Sequence, residues 1–190
     1  MAIEQDRQLF PPYELLVGES ARAFFEEIIE PNWRIFEWGL GPGSLWFAQR
    51  AAEVISIENV QEWHKYMGTF AQPNLTLVLV SGYKNTPGWR EGLEQYIAMI
   101  DGYPDAYFDL VFSDGWAESR ALCPVRAMPK VKPGGWLVVD DVTWNPARAG
   151  AEPLIKAGWA QIRKSGIVLP EMSWDEHGRK STTAFFQRPE

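Results

Sequence analysis

The sequence predicts an α/β fold, in which a mostly parallel, seven-stranded sheet carries helices on both faces. Short apolar runs alternate with amphipathic segments along the chain, and this alternation is typical of parallel strands connected by helices. The strands are almost entirely apolar, as expected when both faces of a sheet are covered. The last two strands have no helix between them, so we expect an antiparallel hairpin to close the sheet.

The predicted elements follow one another with clear punctuation. Strands are predicted over residues 34–38, 54–57, 75–80, 108–112, 136–139, 167–174 and 182–187. Helices are predicted over residues 19–30, 45–52, 60–70, 93–100, 119–128 and 152–164. Ser20 is a candidate cap for the first helix and Pro31 ends it. Pro124 predicts a kink or a late start in the fifth helix, and residues 132–135 predict a turn.

The most informative motif follows the first strand. Glu37 precedes Gly39, Gly41 and Gly43, which alternate with other residues, and a helix comes next. A strand, a glycine turn and a helix let a backbone approach a nucleotide-like ligand closely. A dinucleotide fingerprint would place its third glycine three residues after the second, but Ser44 stands there. The spacing therefore favours a different nucleotide-like cofactor.

Composition limits the possible functions. A chain of 190 residues predicts one domain, with a cap or helix region over residues 1–32 and a cofactor-binding sheet over residues 33–190. The net charge of -7 disfavours a nucleic-acid partner. The single cysteine, Cys123, is consistent with a reducing compartment. Neither a signal peptide nor a membrane span is predicted, so we expect a cytoplasmic protein.

Acidic residues follow four of the predicted strands. They are Glu37, Glu58, Asp114 and the pair Asp140 and Asp141. One such acid is often only a helix cap, but ligands of open α/β sheets bind at the carboxyl ends of the strands. Glu58 lies 21 residues after Glu37, which is the position of an acid that binds ribose hydroxyls. We therefore expect these carboxylates to meet in one crevice.

The segments FEWGLGPGSLWFA, VISIEN, FDLVFSDG and VKPGGWLVVDD resemble class I S-adenosylmethionine-dependent methyltransferases, which have a Rossmann-like fold. Within that superfamily the chain looks like a small group of methyltransferase-like proteins. The resemblance implies that Gly39, Gly41 and Gly43 contact the methionine and ribose of the cofactor. It also implies roles for the following residues: Glu37 at the methionine amine, Glu58 at the ribose, Ser81 or Gly82 near the adenine, and Asp114 near the methyl group.

A weaker resemblance concerns a metal. FSDG and LVVDDVTWNP are similar to segments of metal-dependent catechol and caffeoyl-CoA O-methyltransferases. This resemblance implies that Asp114, Asp140 and Asp141 hold a divalent cation such as Mg²⁺. Asp141 stands where that family has Asn, and the family's lysine after the first Asp is absent. The alternative is that Asp140 and Asp141 only close the crevice.

We expect methyl transfer to a small-molecule acceptor, at oxygen or nitrogen. His177, in the predicted final hairpin, is a candidate general base, whereas His64 is expected at the surface. Trp116 and Trp144 follow strands four and five and are candidate walls of an acceptor pocket. Two alternatives remain open: a nicotinamide or other nucleotide-cofactor enzyme, and a non-catalytic interaction protein with the same fold. A homo-oligomer is compatible with each of these functions.

Overall fold

The computed structural model describes residues 13–82, 84–161 and 183–190. Their strands form one seven-stranded sheet in the order β3-β2-β1-β4-β5-β7-β6. The strands are β1 (Arg34–Trp38), β2 (Glu53–Glu58), β3 (Leu75–Leu79), β4 (Phe108–Ser113), β5 (Val131–Val139), β6 (Ala160–Gln161) and β7 (Ala184–Gln187). The first five strands are parallel, and β7 is antiparallel to both β5 and β6. The predicted architecture is confirmed.

Six α-helices are described, and they cover the two faces of this sheet. They are α1 (Glu19–Ile28), α2 (Pro42–Ala48), α3 (Gln61–Gly68), α4 (Trp89–Ala98), α5 (Cys123–Ala127) and α6 (Asn145–Lys156). Short 3₁₀ turns follow α4 at Met99–Gly102 and precede α5 at Ala117–Ser119. Within the described ranges, no helix has the length and hydropathy needed to cross a lipid bilayer.

Alternate residues of each strand contribute to two separate cores, because neighbouring side chains point to opposite faces. On one face, Phe25 of α1 packs edge-on against Phe47, Phe112 and Phe185. On the other face, α4, α5 and α6 cover a second cluster that includes Phe36 and the fully buried ring of Trp38. Helix α1 is thus part of the core on the first face.

The prediction for the end of the chain was partly wrong. The predicted helix over residues 152–164 begins earlier, at Asn145, and ends at Lys156. Pro146 occupies the first turn, where proline is favourable, although Pro153 lies inside the helix. Gly158 then adopts φ +81° and the chain enters β6. The predicted strand over 167–174 lies outside the described residues.

Other differences are small shifts of element boundaries. Gly18, and not Ser20, is the N-cap of α1. Pro124 lies in the first turn of α5, so this helix starts late, as one of the two predicted possibilities. The predicted turn over 132–135 is a bulge inside β5, where the register against β4 shifts from Phe108 opposite Val131 to Leu110 opposite Trp136. Gly134 in this bulge has φ +71°.

Candidate cofactor site and carboxylate cluster

The turn after β1 lies directly against the loop after β4. Gly39 adopts φ +109°, and a Cβ built there would lie 2.9 Å from the Cα and N of Gly115. The amide of Gly39 donates to the carbonyl of Ile57, and the amide of Asp114 donates to the carbonyl of Trp38. Backbone packing therefore requires a glycine at position 39, whatever ligand binds nearby.

Gly41 differs from Gly39, because packing does not require it. Its backbone is extended, with φ -157°, and a Cβ there would meet nothing closer than the amide nitrogen of Gly43 at 4.0 Å. Its amide donates to the Ser44 hydroxyl at 3.0 Å, and the amide of Ser44 donates back to the carbonyl of Gly41 at 3.0 Å. This reciprocal pair caps the start of α2 beside the cleft.

A cleft of about 320 Å³ opens at this edge of the sheet, within the range of small-molecule sites. Of the carboxylates predicted to share one crevice, Glu58 and Asp114 line this cleft, together with Gly39 and Gly41, whereas Asp140 and Asp141 do not. The other lining residues are Leu16, Leu40, Pro42, Asn59, Trp63, Gly115 and Trp116. A smaller cavity of about 50 Å³ adjoins the cleft, and Glu37 and Gly43 line it.

Glu37 is almost fully buried, with 1% of its surface exposed. The parallel register places it opposite Ser56, whose hydroxyl donates to Glu37 Oε1. Burial raises the pKa of Glu37 to about 7, although hydrogen bonds from the Ser44 and Ser56 hydroxyls oppose the shift. The hydroxyls of Ser44 and Ser56 that bind this carboxyl group are thus neutral partners.

Glu58 ends β2 and is 6% exposed. Its Oε1 accepts hydrogen bonds from the backbone amides of Asn59 at 2.8 Å and Val60 at 2.7 Å. Burial raises the pKa of Glu58 to about 7, and the amides of Val60, Asn59 and Leu40 oppose this rise. Glu58 therefore resembles Glu37. Within the described residues, neither of these buried carboxyl groups has a positively charged hydrogen-bond partner.

The residues after β3 lie differently from the other candidates. Ser81 and Gly82 line neither the cleft nor the smaller cavity. A Cβ at Gly82 would lie 2.7 Å from Cη2 of Trp116, so that ring packs directly against Gly82. Asn59, whose Nδ2 donates to the carbonyl of Gly82 at 2.9 Å, lines the cleft instead.

The segment before α1 covers part of the site. Leu16 lines both cavities, and Leu15 and Val17 line the smaller one. A Cβ at Gly43 would lie 2.9 Å from Cδ1 of Leu15. At Gly43, a side chain would therefore collide with this cover.

Asp114, Asp140 and Asp141 meet beyond the ends of β4 and β5. One carboxylate oxygen from each lies within 4.8 Å of the others. Asp141 adopts φ +55°, a conformation that Asp tolerates better than most residues. Thr183 donates its hydroxyl to Asp140 Oδ1, and burial raises the pKa of Asp140 to about 6. The three acids predicted to meet do so.

Arg120 binds two of these three acids. Its Nη2 donates to Asp114 Oδ1 at 2.6 Å, and its Nη1 donates to Asp141 Oδ2 at 2.8 Å. Its Nε donates to the carbonyl of Gly115 at 3.1 Å. Only 12% of the Arg120 side chain is exposed. Burial raises the pKa of Asp114, while Arg120 favours its charged form.

Other candidate residues lie in different settings. His177 is outside the described residues, so its role stays a prediction. His64 is only half-buried on α3, with no recorded partner for Nε2 in the described part of the chain. Trp116 is buried in the cleft wall, whereas Trp144 is 40% exposed and its ring centre lies 5.8 Å from Arg120 Cζ.

Sequence reasoning missed three residues that organise the site. Ser56 and Ser44 bind Glu37, and Arg120 binds Asp114 and Asp141. The available signal for Ser56 was a hydroxyl side chain inside the otherwise apolar run of β2. In the structure this residue lies opposite Glu37. For Arg120, the signal was a lone base in the turn after the Asp114 strand.

Comparison with known proteins identifies the fold. Neither a protein family model nor a curated protein matches the sequence. A methyltransferase-like protein from Silicibacter pomeroyi superposes with a TM-score of 0.61 at 18% identity, over 93% of this chain and 89% of that one. The N-methyltransferase NodS from Bradyrhizobium japonicum superposes with a TM-score of 0.58 at 16% identity, over 90% and 93%.

A third similar structure acts on a macromolecule. The tRNA (m1A58) methyltransferase TrmI from Aquifex aeolicus superposes with a TM-score of 0.54 at 13% identity, over 95% of this chain and 73% of that one. Identities this low indicate shared architecture. The chain therefore has the class I S-adenosylmethionine-dependent methyltransferase fold.

Proposed function

We propose that this protein transfers a methyl group from S-adenosylmethionine to an oxygen or nitrogen atom of a small molecule. The observation that carries the proposal is the cleft at the carboxyl edge of the sheet. It brings together the open turn at Gly41, the strand-end acid Glu58 and Asp114, and it adjoins the cavity of Glu37.

The buried carboxyl groups suit the charges of this cofactor. Glu37 lies in the smaller cavity with hydroxyl partners only, so an ammonium group would be its first positive partner. A carboxylate offers about four acceptor positions, and three amides already occupy positions on Glu58. Glu58 thus retains room for a ribose hydroxyl. We place the adenine toward Asn59 and the segment of Ser81 and Gly82.

The cofactor supplies an activated methyl group on a sulfonium. The protein's part is to align donor and acceptor and to accept a proton from the acceptor. Asp114 lines both cavities, so we place it beside the transferred group. His177 remains our second candidate for the proton acceptor.

A small acceptor fits the charge of the protein. The net charge of -7 and the acidic edge of the sheet would repel a phosphate backbone. A cytoplasmic location is part of the same proposal and rests on the use of a single cysteine.

Calorimetric titration with S-adenosylhomocysteine and with NAD tests the proposal. We expect S-adenosylhomocysteine to bind and Glu58→Ala to weaken it at least about tenfold, since a lost charged hydrogen bond costs about 1.5–3 kcal/mol. Glu53→Ala, at the opposite end of the same strand, is the matched control and should bind normally. Binding of NAD alone, or equal affinity in Glu58→Ala and wild type, would refute the proposal.

A further inference from the structure

The cluster of Asp114, Asp140 and Asp141 presents an electrostatic problem. Oxygens of three carboxyl groups lie within 4.8 Å of one another, and Asp140 is 4% exposed. Carboxylates this close repel one another unless a cation or protons neutralise them. Proteins often place a divalent metal at such a point, because Mg²⁺ and Ca²⁺ prefer oxygen ligands.

Here a side chain already supplies the positive charge. The guanidinium of Arg120 bridges Asp114 and Asp141 through different nitrogens, at 2.6 and 2.8 Å. Its Nη2 also donates to the carbonyl of Asp114 at 2.6 Å, and its Nε to that of Gly115 at 3.1 Å. All three nitrogens of the planar group are therefore engaged, and the side chain is almost buried.

We propose that Arg120 is the built-in cation of this carboxylate cluster and keeps it from binding a divalent metal. A guanidinium does not lose its proton in a protein, so it cannot yield its charge as the pH changes. A metal that bound oxygens of both Asp114 and Asp141 would have to displace it or lie beside it. Mg²⁺ also requires oxygens at about 2.0–2.1 Å in octahedral geometry.

The proposal concerns the cluster alone and does not depend on methyl transfer. Tb³⁺, a hard trivalent ion, is a suitable probe because a nearby tryptophan sensitises its luminescence. The Trp144 ring lies 5.8 Å from Arg120 Cζ and can serve as the donor. The five proteins compared are wild type, Arg120→Met, Arg120→Lys, Asp141→Asn and the double variant Arg120→Met with Asp141→Asn.

We expect Arg120→Met to gain saturable, tryptophan-sensitised Tb³⁺ binding at least about tenfold tighter than wild type, because a nearby positive charge is removed. The double variant should lose this gain, which separates the cluster from other acidic sites on the surface. Arg120→Lys keeps a positive charge and should resemble wild type. The fold of each variant is checked by circular dichroism.

Two results would overturn the proposal. One is Tb³⁺ binding by wild type that Asp141→Asn abolishes. The other is an Arg120→Met variant that is folded and gains no binding. Should Arg120→Met fail to fold, thermal unfolding of wild type and Asp141→Asn with Mg²⁺ or a chelator decides the matter. A bound metal stabilises the native state, so a Mg²⁺-dependent rise in Tm in wild type alone contradicts the proposal, and equal behaviour supports it.

Discussion

The carboxyl groups at the ends of β1 and β2 lie in a different electrostatic environment from those that follow β4 and β5. Glu37 and Glu58 are buried among hydroxyls and backbone amides, and the pKa of each is raised to about 7. Asp114 and Asp141 share a guanidinium instead. The first half of the edge can therefore receive a cationic ligand, whereas the second half already contains a cation. One row of acids thus has two electrostatic settings.

The largest loss of stability is expected where the turn after β1 contacts the loop after β4. Gly39→Ala places a Cβ 2.9 Å from the backbone of Gly115 at a φ of +109°. Strain and overlap together should lower the free energy of unfolding by about 3–5 kcal/mol. Urea denaturation measures this loss. Gly102→Ala is the control, because a Cβ there meets nothing within 4 Å, and a loss as large at Gly102 would contradict the explanation.

The next effect concerns the second half alone. Arg120→Met leaves Asp114 and Asp141 without their shared cation, and we expect a loss of about 2–4 kcal/mol at pH 7. The loss should shrink on acidification, because protonated carboxyl groups no longer repel. Arg126→Met removes an exposed ion pair with Asp101 and should change the denaturation midpoint little. A loss in Arg120→Met that is independent of pH would indicate lost packing instead of lost charge.

The first half should respond to pH in the opposite sense to an ordinary salt-bridged acid. A carboxyl group whose pKa rises from 4.5 to about 7 on folding binds a proton more tightly in the native state. Native stability therefore falls as the pH rises from about 4.5 to about 7. Relative to wild type, Glu37→Gln should gain about 2–3 kcal/mol between pH 5 and pH 8. Parallel stability curves for the two proteins would contradict a raised pKa at Glu37.

The sequence predicts where the strands end better than it predicts the contacts between side chains at this edge of the sheet. The five parallel strands end within one residue of their predicted ends, because apolar runs stop at turns and acids. The contacts of Glu37 with Ser56 and of Asp114 with Arg120 depend on register and on a folded-back turn. Neither follows from spacing along the chain. The helix over 145–156 was predicted too late in the chain, at 152–164, because Pro153 lies inside it and Gly158 follows its end.

The smallest effect on stability is expected for a substitution at Gly41, in contrast to Gly39 in the same turn. Serine at position 41 meets no close contact, adopts the extended backbone without strain, and is a good N-cap residue for α2. We therefore expect Gly41→Ser to change the free energy of unfolding by no more than about 0.5 kcal/mol.

Cofactor binding by the same variant should change far more. Gly41 lines both cavities, so a side chain there competes with the ligand for space. S-adenosylhomocysteine affinity should fall at least about fivefold, as overpacking of about 1–3 kcal/mol implies, while Gly102→Ser leaves it unchanged. A Gly39→Ala variant that loses stability and a Gly41→Ser variant that loses only binding would together separate a glycine that packing requires from one that the ligand requires. Normal binding by Gly41→Ser would place the cofactor elsewhere and leave the turn with a structural role only.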